Sequence, residues 1–110
     1  MLKVPLYHYS SRAINITIDA YFDEKGNLVI DGVDTGQIVE DLMGDFDYEY
    51  RSTIPPEEVM KLYPLFGLTP GSKEELLSYL QTHYNSDSCY SQIQGLLTKN
   101  GVKFETFSWR

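Results

Sequence analysis

Three carboxylates at alternate positions are the clearest chemical feature of this sequence. Asp45, Asp47 and Glu49 stand at i, i+2 and i+4, so a β-strand places all three on one face. Carboxylates at this spacing repel one another unless water or cations meet them. Three interpretations stay open: a solvated strand face balanced by Lys and Arg, a surface for a basic protein, or a Ca²⁺ or Mg²⁺ site. Tyr50 stands where an EF-hand loop needs glycine, which weakens the metal interpretation.

The residue types of nucleophilic and zinc chemistry are sparse. His8 and His83 are the only histidines, and Cys89 is the single cysteine. Nothing in their spacing indicates a Cys–His pair or a zinc finger. We therefore predict no catalytic residues, no metal site and no cofactor, and we expect a non-enzymatic protein. Cys89 is expected to be a small buried hydrophobe, and a lone cysteine is typical of a reducing compartment.

Negative charge is concentrated in one part of the chain. The formal net charge is −7, and residues 26–50, the acidic segment, contain no Lys or Arg. Such a field repels phosphate and anionic lipid and attracts basic proteins. We predict a basic protein partner and neither direct nucleic-acid binding nor membrane binding. The predicted partner-binding acids are Asp31, Asp34, Glu40, Asp41, Asp45, Asp47 and Glu49.

Aromatic residues alternate with these acids. Phe46, Tyr48 and Tyr50 fall on the other side of the same predicted strand. Tyrosine is favoured at protein interfaces because its rigid ring buries a large area and its hydroxyl can hydrogen-bond. Tyr48 and Tyr50 are therefore added to the predicted partner-binding residues.

The hydrophobic periodicity predicts about five strands. Alternation is clearest over residues 15–22, and a turn at residues 23–27 joins this strand to the next as a hairpin. Pro5 favours an edge position for the first strand. The late aromatic residues Phe107 and Trp109 indicate that the last strand is docked in the sheet. The predicted strands cover residues 2–10, 15–22, 28–30, 45–54 and 102–109.

Two to four helices are expected between these strands. A short helix over residues 37–43 follows a bend bracketed by Gly32 and Gly36, and a second begins at residues 55–58 and is limited or kinked by Pro64. Ser72 opens a third with a capping box, and a fourth ends near Asn100. The order β-β-β-(α)-β-α-α-α-β predicts a single α+β domain over residues 1–110. Its mostly antiparallel sheet is packed by helices on one face.

Targeting features are lacking in the sequence. Its first residues have no apolar run of signal-peptide length, and no stretch approaches the ~20 apolar residues that span a bilayer. We expect a cytoplasmic protein. The oligomeric state is not predicted.

Several short motifs resemble a group of small, acidic, uncharacterised bacterial proteins. The matching segments are residues 31–36, the run Gly-Asp-Phe-Asp-Tyr-Glu-Tyr over residues 44–50, and Phe-Ser-Trp over residues 107–109. That group has a Gly-Asp-x-Asp-Tyr-Glu-Tyr core in which Ser is usual at the position of Phe46. Here Asp34 follows Val33, where the group has Gln. The resemblance implies no established activity and no catalytic residues.

Size and charge together favour an inhibitory binding protein. By analogy, small acidic proteins of this type are similar to the immunity partners of secreted toxins. The predicted function is an immunity protein that neutralises a basic toxin, most concretely a nuclease, through an acidic face. The alternative is a metal- or small-ligand-binding module that uses Asp45, Asp47 and Glu49.

Overall fold

The computed structural model of the protein describes residues 2–44 and 47–109. Its strands are β1 (Lys3–Ser10), β2 (Asn15–Phe22), β3 (Leu28–Thr35), β4 (Asp47–Ile54) and β5 (Glu105–Trp109). Its helical segments are α1 (Gln37–Met43), α2 (Pro56–Val59), α3 (Leu62–Phe66), α4 (Lys73–His83) and α5 (Cys89–Lys99). The strands form one antiparallel sheet in the order β1-β2-β3-β4-β5. The predicted α+β class and order of elements are confirmed.

The two faces of the sheet differ because successive residues of a strand point to opposite sides. One side, the helix face, carries the buried residues Ile18, Ala20, Ile30 and Ile54. The opposite side, the outer face, is richer in charged residues. Its residues on β2, β3, β4 and β5 include Asp19, Asp31, Val33, Asp47, Glu49, Arg51, Phe107 and Trp109.

The hydrophobic core lies between the helix face and helices α2–α5. Cys89 is fully buried in it, as predicted, and burial raises the pKa of its thiol to about 11. Burying one aliphatic side chain contributes roughly 1.5–3 kcal/mol, so this shared core is what holds the helices on the sheet. The helices supply to it Val59, Leu62, Tyr63, Leu76, Leu77, Leu80, Ile93 and Leu97.

The second predicted helix is divided into α2 and α3. The break falls at Met60 and Lys61, one turn before Pro64. Proline has no N–H to donate to the carbonyl four residues earlier, which here belongs to Met60, and its ring would clash with that carbonyl. Pro64 itself lies in the first turn of α3, where the missing donor costs nothing.

The ends of α4 and α5 explain two further boundaries. Ser72 caps α4 as predicted, because its side chain accepts a hydrogen bond from the Glu75 N–H. Past α5, the Val102 N–H donates to the Leu97 carbonyl at 2.9 Å, so the chain is still turning there. The last strand therefore begins at Glu105, three residues later than predicted.

The expected bend at Gly32 is wrong. Gly32 lies inside β3, which continues to Thr35 rather than ending at Ile30. The Tyr50 ring of β4 occupies the space that a Cβ at Gly32 would need. This glycine therefore provides room for an aromatic ring within a continuous strand, and the bend into α1 falls at Gly36, whose φ is 118°.

The length and hydrophobicity of the helices determine whether any of them could cross a membrane. Across residues 2–44 and 47–109, no helix is long and apolar enough to cross a bilayer.

Replacing Gly32 with Ala should lower the free energy of unfolding by about 1–3 kcal/mol, because the added methyl group would overlap the Tyr50 ring. Urea unfolding followed by circular dichroism measures the change. Gly95→Ala in α5 is the matched control, since its Cβ would meet nothing within 4 Å. It should stabilise the protein by about 0.5–1 kcal/mol. Equal stabilities for the two variants would contradict this account of Gly32.

Candidate functional site

The acidic segment forms β3, α1 and the first half of β4. Alternation along these strands places Asp31, Asp47 and Glu49 on the outer face. Asp47 and Glu49 share a side, as the sequence predicts. The third predicted member of that set, Asp45, lies outside the described residues, as does Phe46.

Nearby cations balance only part of this negative charge. Arg51 Nε lies 3.5 Å from Asp31 Oδ1 on the neighbouring strand. On β2, Asp19 contacts both Lys3 and His8. Asp47 and Glu49 form no ion pair with the cations of residues 2–44 and 47–109. Together with Glu105 of β5, which also forms no ion pair among the described residues, these two carboxylates carry uncompensated charge on the outer face.

Asp34 belongs to the opposite side of the sheet and so cannot extend this acidic surface. The Tyr50 hydroxyl donates a hydrogen bond to its Oδ1 at 2.7 Å. Burial raises the pKa of Asp34, and the hydrogen bond from Tyr50 opposes that shift. Burial also raises the pKa of Tyr50, and the neighbouring Asp34 raises it further. Asp34 and Tyr50 thus form a polar contact within the packing of the helix face.

Tyr50 also takes part in the contact between the sheet and α5. Its ring meets the edge of the Tyr90 ring with centroids 4.8 Å apart. Buried Ser52 donates to the Tyr90 hydroxyl at 2.9 Å and accepts from the Gln94 amide at 3.1 Å. Every buried side-chain polar atom in the described part of the chain has a hydrogen-bond partner. This network joins α5 to β4.

Tyr48 lies on the same side as Tyr50, with the two ring centroids 5.5 Å apart. Its side chain is partly exposed, whereas Asp47 and Glu49 point away from it. The two predicted interface tyrosines are therefore separated from the outer-face acids by the thickness of the sheet.

The remaining predicted acids lie on α1. Glu40 and Asp41 both accept hydrogen bonds from the side-chain amide of Gln37, at 3.3 and 3.0 Å. Apolar Ile38 and Leu42 of the same helix are exposed, and Leu42 is 77% exposed. Helix α1 thus presents acidic and apolar side chains beside the end of the sheet.

The metal interpretation gains no support within the described residues. Among residues 2–44 and 47–109, no group of three or more His, Cys, Asp or Glu side chains could hold a metal ion. A cleft of about 450 Å³ along α4 is lined by Glu74, Glu75 and His83, among others. Glu75 accepts a hydrogen bond from the Thr69 N–H, which lowers the pKa of that carboxyl. Asp34, whose pKa is raised, does not line this cleft.

Two exposed aromatic residues stand beside the acids on the outer face. Phe107 and Trp109 of β5 are 54% and 61% exposed. They lie directly across from Arg51 and Glu49 of β4. Their late position in the chain predicted that the last strand is docked in the sheet, and the pairing of β5 with β4 confirms this. The alternation of Phe107 and Trp109 with the polar Thr106 and Ser108 was the signal that could have revealed a one-sided aromatic strand.

Comparison with protein families, with curated proteins and with solved structures finds no match for this chain. The resemblance to small acidic bacterial proteins therefore stays a prediction, and the function of the chain is inferred from its own geometry.

Because burial makes the pKa of Asp34 higher in the folded protein than in the unfolded chain, Asp34 contributes most stability below the ordinary carboxyl pKa of 3.8. That contribution is lost as the pH rises through the raised pKa of the folded state. Asp34→Asn keeps an acceptor for Tyr50 and does not titrate. The stability of this variant relative to the native chain should therefore increase between about pH 3 and pH 6, measured by urea unfolding at each pH.

Asp23→Asn is the matched control, with the opposite sign. Desolvation raises the pKa of Asp23, but hydrogen bonds from Asn27 and Lys25 outweigh it and lower the pKa overall. The relative stability of this variant should fall over the same rise in pH. If the difference in stability between Asp34→Asn and the native chain stays constant with pH, then burial does not shift the titration of Asp34.

Proposed function

We propose that this chain binds a basic protein through the outer face of its sheet and thereby inhibits it. One observation carries the proposal: Glu49, which is not ion-paired within residues 2–44 and 47–109, lies directly across from exposed Trp109. A carboxylate beside an indole ring suits a lysine or arginine side chain. The cation can contact the face of the ring while it pairs with the carboxylate.

The charge distribution supports fast association with such a partner. The whole net charge of −7 corresponds to the seven acids of the acidic segment, because the rest of the chain has equal numbers of acids and bases. A surface with this field raises association rates by roughly 10–10³-fold, and salt weakens the effect. Asp47 and Glu49 lie on the outer face, where that field meets the partner.

Exposed aromatic rings supply the apolar part of the interface. Trp, Tyr and Arg dominate the binding energy of protein interfaces, and Phe107, Trp109 and Arg51 adjoin one another on the outer face. Tyr48 and Tyr50 stay predicted partner-binding residues, but their position on the helix face favours a structural role for Tyr50.

The concrete role we propose is that of an immunity protein. A basic toxin such as a nuclease has a cationic cleft that holds phosphate, and an acidic protein of this size can cover such a cleft. The single cysteine agrees with action in the cytoplasm, where the host must be protected. The proposal requires neither a cofactor nor a catalytic residue of this chain.

The product of a gene beside this one in the native genome should inhibit bacterial growth when expressed alone, and co-expression of this chain should restore growth. Stopped-flow measurements on the purified pair should show association that slows as salt is added. The double variant Asp47→Lys/Glu49→Lys should associate at least about tenfold more slowly at low salt, because it reverses the charge of the outer face.

Glu24→Lys/Glu57→Lys is the matched control. It changes the net charge by the same amount at exposed positions near the β2–β3 turn and on α2. Its association rate should stay within about threefold of the native rate. Equal rates for both double variants would mean that net charge alone, and not the outer face, directs association. A lack of any growth-inhibiting neighbour would contradict the immunity role.

A further inference from the structure

The two edges of the sheet differ in their protection against further strand pairing. At one edge, β1 contains Pro5, a register shift between Pro5 and Tyr7, and Lys3 on the outer face. Proline, bulges and lysine are the devices that keep an exposed edge from pairing with another chain. At the other edge, β5 pairs with β4 in an unbroken register over residues 105–109 and contains none of these devices.

Strand β5 is accessible on several sides. All five of its residues are exposed, so neither the helices nor the neighbouring strand buries its side chains. In an antiparallel edge strand, alternate residues direct their N–H and C=O groups away from the sheet. These groups can form a new ladder with an extended chain, which is the recognition mode called β-strand addition.

The side chains on the outer face define what such a chain would carry. From one end of β5 to the other, the face presents Glu105, Phe107 and Trp109, with Glu49 beside Trp109. Arg51, beside Phe107, is already engaged by Asp31 at 3.5 Å. An added strand therefore meets the Glu105 carboxylate at one end of the β5 row, Phe107 in the middle and Trp109 at the other end, with Glu49 of β4 on the far side of the Trp109 ring.

We propose that β5 accepts an extended segment of a basic protein as a sixth strand of the sheet. One Lys or Arg side chain of that segment lies beside Glu105, another lies over the Trp109 ring and extends toward Glu49, and an apolar side chain between them packs on Phe107. This inference rests on the proposed function, because the segment belongs to the same basic partner. It adds which strand of this chain binds the partner and which side-chain pattern of the partner is recognised.

Charge argues against a second copy of this chain as the occupant. Pairing β5 with the β5 of another copy would bring together two molecules of net charge −7. It would also bring Glu105 and Glu49 of one copy close to the same carboxylates of the other copy. Like charges at such short distances repel one another. A cationic segment replaces this repulsion with attraction.

Two capped peptides of about ten residues test the proposal on the intact chain. In both, valine at the centre of one strand face is flanked on that face by two charged residues, and threonine fills the other face. The charged residues are lysine in one peptide and glutamate in the other. Trp109 is the only tryptophan, so intrinsic fluorescence reports on β5 directly. The lysine peptide should shift the emission to shorter wavelength and bind at least about tenfold more tightly than the glutamate peptide. Amide hydrogen exchange of residues 105–109 should slow on binding. Equal binding of both peptides, or unchanged exchange in β5, would overturn the proposal.

Two variants of β5 distinguish recognition by the outer-face side chains from an effect of net charge. Phe107→Lys removes the apolar contact and places a cation against the cationic peptide, so affinity should fall by at least about tenfold. Ser108→Lys adds the same charge on the other side of the same strand and should change affinity by less than about threefold. If the two variants weaken binding equally, the outer-face pattern is not what is recognised.

The failure of this inference can be distinguished from failure of the proposed function. If a basic protein is inhibited with the expected dependence on Asp47 and Glu49, but the β5 amides stay unprotected, strand addition is wrong and the function stands. If the lysine peptide protects β5 but no basic protein is inhibited, the function is wrong and the edge site stands. Sedimentation of the free chain is the last test, because a dimer with protected β5 amides would assign the edge to a second copy and overturn the proposal.

Discussion

The packing of the Tyr50 ring against Gly32 is the contact on which the orientation of the acidic segment depends. Strand side chains alternate, so a ring held on the helix face directs Glu49 and Arg51 to the outer face. The Tyr50 hydroxyl is held by Asp34 and its ring by Tyr90, which joins β3, β4 and α5 at one place. Buried Ser52 and Ile54 hold the same side of β4 against the helices, and the absence of a side chain at residue 32 gives the Tyr50 ring its place beside them.

Much of the fold could be predicted because its signals are local. The alternation in β2, the periodicity of α4 and the capping role of Ser72 each depend on residues a few positions apart. The errors arise where distant residues decide the outcome. Gly32 suggested a bend because nothing nearby in the sequence shows that a ring from β4 needs its space. Val102 matched a strand pattern, but it completes the turn after α5 and is buried in the core.

Prediction of the candidate site depends even more strongly on residues that are distant in the sequence. Alternation correctly placed Asp47 and Glu49 on one side of a strand, but periodicity alone does not show which side packs against helices. Tyr50, predicted as an interface residue, forms part of the packing. Phe107 and Trp109 correctly predicted a docked last strand, but their side chains are exposed because β5 lies at the edge of the sheet. Distinguishing a buried ring from a displayed one required the order of the strands.

The connection between the last two strands has a consequence for how the molecule assembles. Strands β1 to β4 follow one another in chain order with short links, whereas roughly fifty residues separate β4 from β5. The loop-closure entropy of that link is unfavourable until α2–α5 have condensed on the sheet. We therefore expect the four-stranded meander to form early and β5 to join late. The same topology lets β5 detach without breaking another strand pair, so this edge is the natural place for local opening in the native state.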